Sequence, residues 1–395
     1  RFFDFPAYRD FEQGLRTLQL LGAVDESRKW AGGKALLVQL GDLSDRGPNT
    51  LKLIDLFEDL KVQAEAAGGK VVTLLGNHSH MLASGDYRYF SRVELAALGD
   101  GDMQKGLEKL KQLMSPEGKY GMLLRRRPVA WISTRSIANR DCSMLLVHAA
   151  ALPHMVRAAK SWLAHHTLAE GGGSQEQALH AADQLHPGQH QHEGAREHTG
   201  WRVVGAWNRG MAHAMDPTAS PAAPENTLKA MLIGEQGPIW SRAYALLPRH
   251  KVCADVAMVC EQMGVSRVIV GHTVQTSGEV SKMCGGQLLM ADVALSRAMG
   301  PRQLGDVMGL ECRAAHRNGS TAGVWESTRS AAAGAGHTAP EAGSDQGKQG
   351  QEEVCRWVPS KEGACMEAEE RQGELRIWRR RGGAPFAKLL SNPLK

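Results

Sequence analysis

The chain has 395 residues, 42% hydrophobic and 23% charged, which suits roughly two or three domains at about 150 residues each. Lys and Arg number 47 against 42 Asp and Glu, and a net charge of +5 over this length is too thin to argue for a nucleic-acid partner. No apolar run reaches the roughly 18 residues of a membrane span, so no membrane partner is expected.

Seven cysteines, odd in number, scattered and without C-x-x-C spacing, speak against a disulfide framework and a zinc ribbon. The chain begins with Arg1, not Met, so a missing N-terminus is expected, and location is left open between cytoplasm and chloroplast.

Asp10-Phe11-Glu12-Gln13 opens a helical pattern with Leu15 and Leu18 on one face. Residues 35–40 (ALLVQL) form a buried strand. Residues 50–67 follow as a helix, with Leu53, Ile54, Phe57 and Leu60 on one side. Further strands are predicted at 71–75, 144–147, 267–270 and 287–291, with a helix over 253–263 before the fourth. Apolar strands that do not alternate, separated by helices, indicate an α/β protein whose sheets are covered on both faces.

Composition divides the chain. Residues 1–300 form one domain, interrupted at about 166–230 by a Gly-, Gln- and His-rich insert. Residues 301–370 are a polar low-complexity tail expected to be disordered, and 371–395 hold a final strand near Glu374–Trp378. His180, His186, His190, His192 and His198 read as part of that polar insert rather than as a metal store. Arg125-Arg126-Arg127 and Arg379-Arg380-Arg381 read as solvated faces.

Polar motifs directly follow four strands: Gly41-Asp42-Leu43-Ser44-Asp45-Arg46-Gly47, Gly76-Asn77-His78, His148, and Gly271-His272-Thr273. The carboxyl ends of strands are where an α/β protein builds its site. Asp, Asn and two His offer the oxygen and imidazole donors of a divalent transition metal. Glycines before Asp42, Asn77 and His272 are expected to supply the sharp turns.

This ordered set resembles the calcineurin-like metallophosphoesterases. Gly237-Pro238-Ile239-Trp240-Ser241-Arg242, Gly264-Val265, and Asp292-Val293 with Ser296-Arg297 are similar to the Shewanella-like protein phosphatases within them. The resemblance covers about 10–165 and 231–300. It implies two mixed β-sheets packed face to face with helices outside, and hydrolysis of phosphomonoesters at a two-metal centre. It implies that Asp42 bridges the metals while Asn77, His148 and His272 complete one of them. It further implies that His78 protonates the leaving oxygen, that Asp45 holds its ring, and that Arg46 and Arg242 clamp the phosphate. Asp292 and Arg297 lie near that site without a catalytic role.

The sequence departs from the pattern in three places. The family's opening strand and GD-x-HG would fall just before Asp10, where Pro6 and Tyr8 stand at the Asp and His positions, and that strand is read as absent. Ser79 stands where the family has Glu, and Ala149-Ala150 where it has glycines, so that loop is expected to sit differently. His80 is extra and reads as a surface residue, with a substitute ligand as the sharper alternative. One metal site, for manganese, iron or zinc, therefore keeps its full set of ligands, while the other keeps only Asp42. The expected function is dephosphorylation of a phosphorylated protein, weak or absent in this chain. The alternatives are a phosphoprotein-binding pseudophosphatase and a dinucleoside polyphosphate hydrolase.

Overall fold

Phe2–Phe5 form strand β1, so the opening strand read as absent is present. It pairs in parallel with β2 (Leu36–Gln39), Phe2 opposite Leu36 and Phe5 opposite Gln39. Too short and too near the chain start to show a pattern, this strand is recognisable only through its partner. This computed structural model describes residues 2–5, 11–44, 47–133, 143–169, 198–293, 308–312, 355–356, 365–372 and 375–381.

The chain continues through helix α1 (Phe11–Leu20), β2 and helix α2 (Thr50–Ala66) to β3 (Lys70–Thr73). Leu53, Ile54, Phe57, Leu60 and Ala64 give α2 a buried stripe at helical spacing. A second layer holds β4 (Ala130–Ser133), β5 (Met144–Val147), β6 (Arg267–Val270), β7 (Ser281–Met283) and β8 (Leu288–Met290). A last group comprises β9 (Met308–Cys312), β10 (Cys355–Arg356), β11 (Cys365–Gln372) and β12 (Leu375–Arg381).

The strands make two mixed sheets, ordered β10-β11-β12-β9-β1-β2-β3 and β4-β5-β6-β8-β7. The pairs β1–β2, β2–β3, β5–β6 and β6–β8 are parallel. Side-chain alternation in the second sheet splits its residues between two cores. Trp131, Met144, Leu146, Ile269 and Leu289 pack toward the first sheet, while Leu145, Val147, Val268, Val270 and Leu288 pack into a separate core with the outer helices. This accounts for the continuous apolar runs in the sequence: both faces are covered.

Between β3 and β4 run α3 (Asn77–Ala83), α4 (Arg92–Leu98), α5 (Met103–Met114) and α6 (Lys119–Arg125). Between β5 and β6 come α7 (Pro153–Ala169), α8 (His198–Met215), α9 (Asn226–Ile233), α10 (Ala243–Leu246) and α11 (Arg249–Met263). Gly264, at φ 68°, ends α11 in the left-handed conformation and turns the chain into β6.

Two expectations about the insert and the tail change here. The insert placed at about 166–230 contains α8 and α9, and α8 buries Trp201, Val203, Val204, Trp207 and Met211 in the outer core. Averaged over that window, His, Gln and Gly hide a helix whose apolar positions are well spaced. Residues 170–197, with His180, His186, His190 and His192, lie outside the described residues. Strands β9 to β11 stand within or beside the tail expected to be disordered.

Of the run 125–127 only Arg126 faces solvent. Arg125 donates to the carbonyls of Met114, Ser115 and Ala83, holding the ends of α5 and α3. Arg127 is only 4% exposed, and burial lowers its pKa to about 10. Cys253 and Cys284 form a disulfide that ties α11 to the β7–β8 connection, against the expectation from cysteine spacing. Spacing along the chain cannot register two residues brought together by a fold.

Candidate metal centre

The four motifs converge where the parallel strands of both sheets end. Asp42 follows β2 and Asn77 opens α3 after β3. His148 follows β5 and His272 follows β6. One oxygen or nitrogen each from Asp42, His148 and His272 lies within 4.8 Å of the others, all three residues buried.

The tautomers follow from the backbone. His148 Nδ1 lies 2.7 Å from the Leu40 carbonyl, which can only accept, so Nδ1 carries the hydrogen and Nε2 faces the centre with its lone pair. His272 Nε2 lies 3.1 Å from the Trp240 carbonyl, which leaves Nδ1 as its free nitrogen. Asn77 Oδ1 is 3.0 Å from each of those free nitrogens, and Asp42 Oδ2 is 3.4 Å from His148 Nε2. Four electron-pair donors thus face one another.

The electrostatics match. For His148, burial opposes the charged form, but Asp42, the Leu40 carbonyl and Asp292 outweigh it and raise the pKa. For His272, burial, His148 and Arg242 push the pKa down to about 3. The pair therefore takes one proton readily and a second hardly at all. A divalent metal satisfies such a set, with its imidazoles fixed by hydrogen bonds from behind.

The sharp backbone falls on the ligands as well as before them. Asp42 (φ 58°) and His272 (φ 62°) themselves occupy the left-handed region, while Gly76 is extended at φ −97°. Among the three preceding glycines only Gly41, at φ 99°, supplies the expected turn. Gly76 matters for another reason: a Cβ there would lie 2.1 Å from Asp42 Oδ1. Ala149 and Ala150 take no positive φ, and the Ala149 N–H donates to the Pro238 carbonyl at 2.8 Å, so they fit this loop without strain.

His78 is buried beside the cluster. Its backbone N–H donates to Asp42 Oδ1 at 3.0 Å, and its Nε2 stands 4.0 Å from Asp42 Oδ2. Arg242 sits at the rim, Nη1 donating to Thr273 Oγ1 at 3.4 Å. Asp45, Arg46, Pro6, Tyr8 and Arg297 lie outside the described residues. Ser79 pairs through its hydroxyl with Ser44 at 3.0 Å, bridging two motif loops. His80 is half-buried with its pKa lowered by burial, and stands apart from the cluster. Sequence reading missed the Leu40 and Trp240 carbonyls, which carry no side-chain signature, and the aromatic contact of Tyr89 with His78, whose ring centroids are 5.1 Å apart.

The family model of the calcineurin-like phosphoesterases matches residues 15–276. The chain belongs to that family. Among curated proteins it is 30% identical over 291 residues to an uncharacterised protein of Schizosaccharomyces pombe, covering 73% of this chain and 71% of the relative. It is 29% identical over 296 residues to Shewanella-like protein phosphatase 2 of Arabidopsis thaliana, covering 73% and 69%. Its fold is similar to a cold-active protein-tyrosine phosphatase of a psychrophilic Shewanella species, with a TM-score of 0.51, 19% identity, and 78% and 74% coverage. No helix among the described residues is long and apolar enough to cross a membrane.

Proposed function

We propose that this chain is a metal-dependent protein phosphatase of the Shewanella-like type, acting on phosphomonoesters of protein side chains. The observation that carries the reading is the set of four donors from two sheets, with both imidazoles pinned by carbonyls so that their free nitrogens meet Asn77 and Asp42. Asp42, Asn77, His148 and His272 would hold manganese, iron or zinc, since nitrogen and oxygen donors suit all three. Bound there, the ion would supply Lewis-acid polarisation of a phosphoryl oxygen and activation of water.

The chain's own groups do the rest. Arg242, at the rim beside His272, binds phosphate oxygens through a planar guanidinium that Lys would replace poorly. His78, beside Asp42, gives a proton to the leaving oxygen. The motif pattern assigns Asp45 to holding that ring and Arg46 to the second phosphate contact. Pro6 and Tyr8, in the stretch between β1 and α1, offer no counterpart to the Asp and His of the other family metal. About one tightly bound metal per chain and weak turnover are therefore expected.

The same two residues favour a second reading, a phosphoprotein-binding module that retains the phosphate contacts without turnover. Hydrolysis of a phosphopeptide by the metal-supplied chain, measured beside a His272→Ala control, separates the two. Turnover above the control supports the phosphatase. Binding of the peptide without turnover supports the module. Faster turnover of a dinucleoside polyphosphate than of the phosphopeptide would move the substrate class instead.

A further inference from the structure

The segment that carries Arg242 leaves the site with an apolar and then a basic surface that the phosphate chemistry does not use. Leu246 is 77% exposed, more than any other large hydrophobic side chain among the described residues, and Leu247 is 41% exposed. Arg249, His250 and Lys251 follow in the first turn of α11, all exposed. No Asp or Glu occurs from residue 236 to residue 254. Asp255, the next acid, makes its charge felt at His154 and at the buried Tyr244.

Isolated exposed leucines are ordinary on a protein surface, but these two sit on backbone pinned to the metal centre. The Pro238 carbonyl accepts the Ala149 N–H at 2.8 Å, and the Trp240 carbonyl accepts His272 Nε2 at 3.1 Å. Arg242 reaches Thr273, and the Tyr244 hydroxyl donates to the Ala151 carbonyl. The direction of Leu246 follows from α10. Its N–H donates to the Arg242 carbonyl at 3.0 Å, so one helical turn separates the two residues. Side chains four residues apart share a face, with Cβ atoms about 5–6 Å apart. Leu246 is therefore the neighbour of Arg242, while Tyr244 between them turns inward.

With a phosphate held by Arg242, the peptide on either side of the phosphorylated residue has to cross the neighbouring surface. We propose that Leu246 and Leu247, with Arg249 and Lys251 behind them, are the docking surface for that peptide, and that they select a substrate with an apolar residue followed by acidic ones on one flank of the phosphorylated residue. The inference rests on the phosphatase reading above. Spacing sets the register. At about 1.5 Å of rise per helical residue, Leu246 stands about 6 Å from Arg242 along α10. The extended residues Leu247 and Pro248 add about 3.3 Å each before Arg249. On an extended peptide of about 3.3 Å per residue, the apolar residue falls about two positions from the phosphorylated one and the acids from about four onward.

The test uses the metal-supplied chain, Leu246→Ser, and a double variant Arg249→Gln with Lys251→Gln, each checked by thermal melt. The substrates are p-nitrophenyl phosphate and three phosphopeptides sharing one phosphorylated residue. One carries Leu and Asp residues on its N-terminal side, one carries them on its C-terminal side, and one has Gly and Asn in their place. The unmodified chain is expected to favour one flanked peptide over the neutral one by about tenfold in kcat/KM. Leu246→Ser should remove about tenfold on that peptide, chiefly through KM, and far less on p-nitrophenyl phosphate, which is too short to reach Leu246. The double variant should lower the same value about two- to fivefold and flatten its dependence on salt. No preference between flanked and neutral peptides, or equal losses on peptide and p-nitrophenyl phosphate, would overturn the proposal, because a residue that only supports the fold does not tell substrates apart.

Should no substrate be turned over above the His272→Ala control, the phosphatase reading fails by itself, and the surface is judged by binding. A fluorescent flanked phosphopeptide should then bind the unmodified chain more tightly than it binds Leu246→Ser or the double variant. Equal binding by all three proteins, or none, overturns the docking surface.

Discussion

Three glycines precede metal-ligand candidates, and the structure separates them sharply. A Cβ on Gly76 would lie 2.1 Å from Asp42 Oδ1 and 2.5 Å from the Asp42 backbone nitrogen. Reaching an ordinary 3.4 Å contact from 2.1 Å requires a displacement of about 1.3 Å, and the atom in the way is a metal-ligand candidate on a residue already at φ 58°. Metal sites tolerate only about 0.2 Å of ligand error, and a misplacement of about 1 Å costs roughly 100-fold in rate. Gly76→Ala is therefore expected to abolish tight metal binding and to lower turnover by roughly 100-fold. On Gly271, by contrast, a Cβ meets nothing closer than Leu40 Cβ at 3.6 Å, and Gly271→Ala should bind metal as the unmodified chain does. The assay is metal content after gel filtration, with p-nitrophenyl phosphate turnover and a thermal melt to confirm folding. Normal metal content in Gly76→Ala, or its loss in Gly271→Ala, would refute the reasoning.

Four further outcomes follow from particular groups. Reducing Cys253–Cys284, which closes a loop of 31 residues, should cost about 3–4 kcal/mol on the chain-entropy account, read as a lower denaturation midpoint with dithiothreitol; an unchanged midpoint counts against it. His80 and His154 have pKa values below 6.5 through burial, so the unfolded chain binds their protons first and stability should fall as pH drops below about 6.5; His80→Gln should flatten that slope of Tm against pH. Arg127 is buried with no hydrogen-bond partner for its guanidinium among the described residues and helps depress the Lys61 pKa, so Arg127→Met should leave stability unchanged or raise it by about 1–4 kcal/mol in urea titration. Pro6→Asp with Tyr8→His should raise metal content from about one to about two per chain and increase turnover, and an unchanged metal count would show that position in sequence is not enough to make those ligands.

The sequence revealed most of the interior strands because apolar runs with no alternation can only be covered on both faces, and 144–147 and 267–270 coincide with β5 and β6. It concealed β1, four residues with no interval in which to show a period. It concealed α8 because His, Gln and Gly on one side dilute the composition while Trp201, Val204 and Met211 keep their helical spacing on the other. The ligand candidates were legible as residue types after strands. Their fixed tautomers were not, since Leu40 and Trp240 act through carbonyls that any residue would supply. Arg127 misled because charge runs usually face water, and only packing shows one that does not.

The division of the centre between two sheets has a physical consequence. Asp42 and Asn77 come from the sheet of β2 and β3, His148 and His272 from that of β5 and β6. The side chains that the second sheet turns toward the first, among them Trp131, Leu146, Ile269 and Leu289, set the distance across which those donors meet. Close-packed interiors transmit volume changes rather than absorb them. A metal held by ligands from both layers would also resist their separation, so binding energy becomes folding stability. The donors need only elementary chemistry to recognise, but their convergence belongs to the core. That explains why four weak motifs, each placed after a strand, carry more information together than any one of them alone.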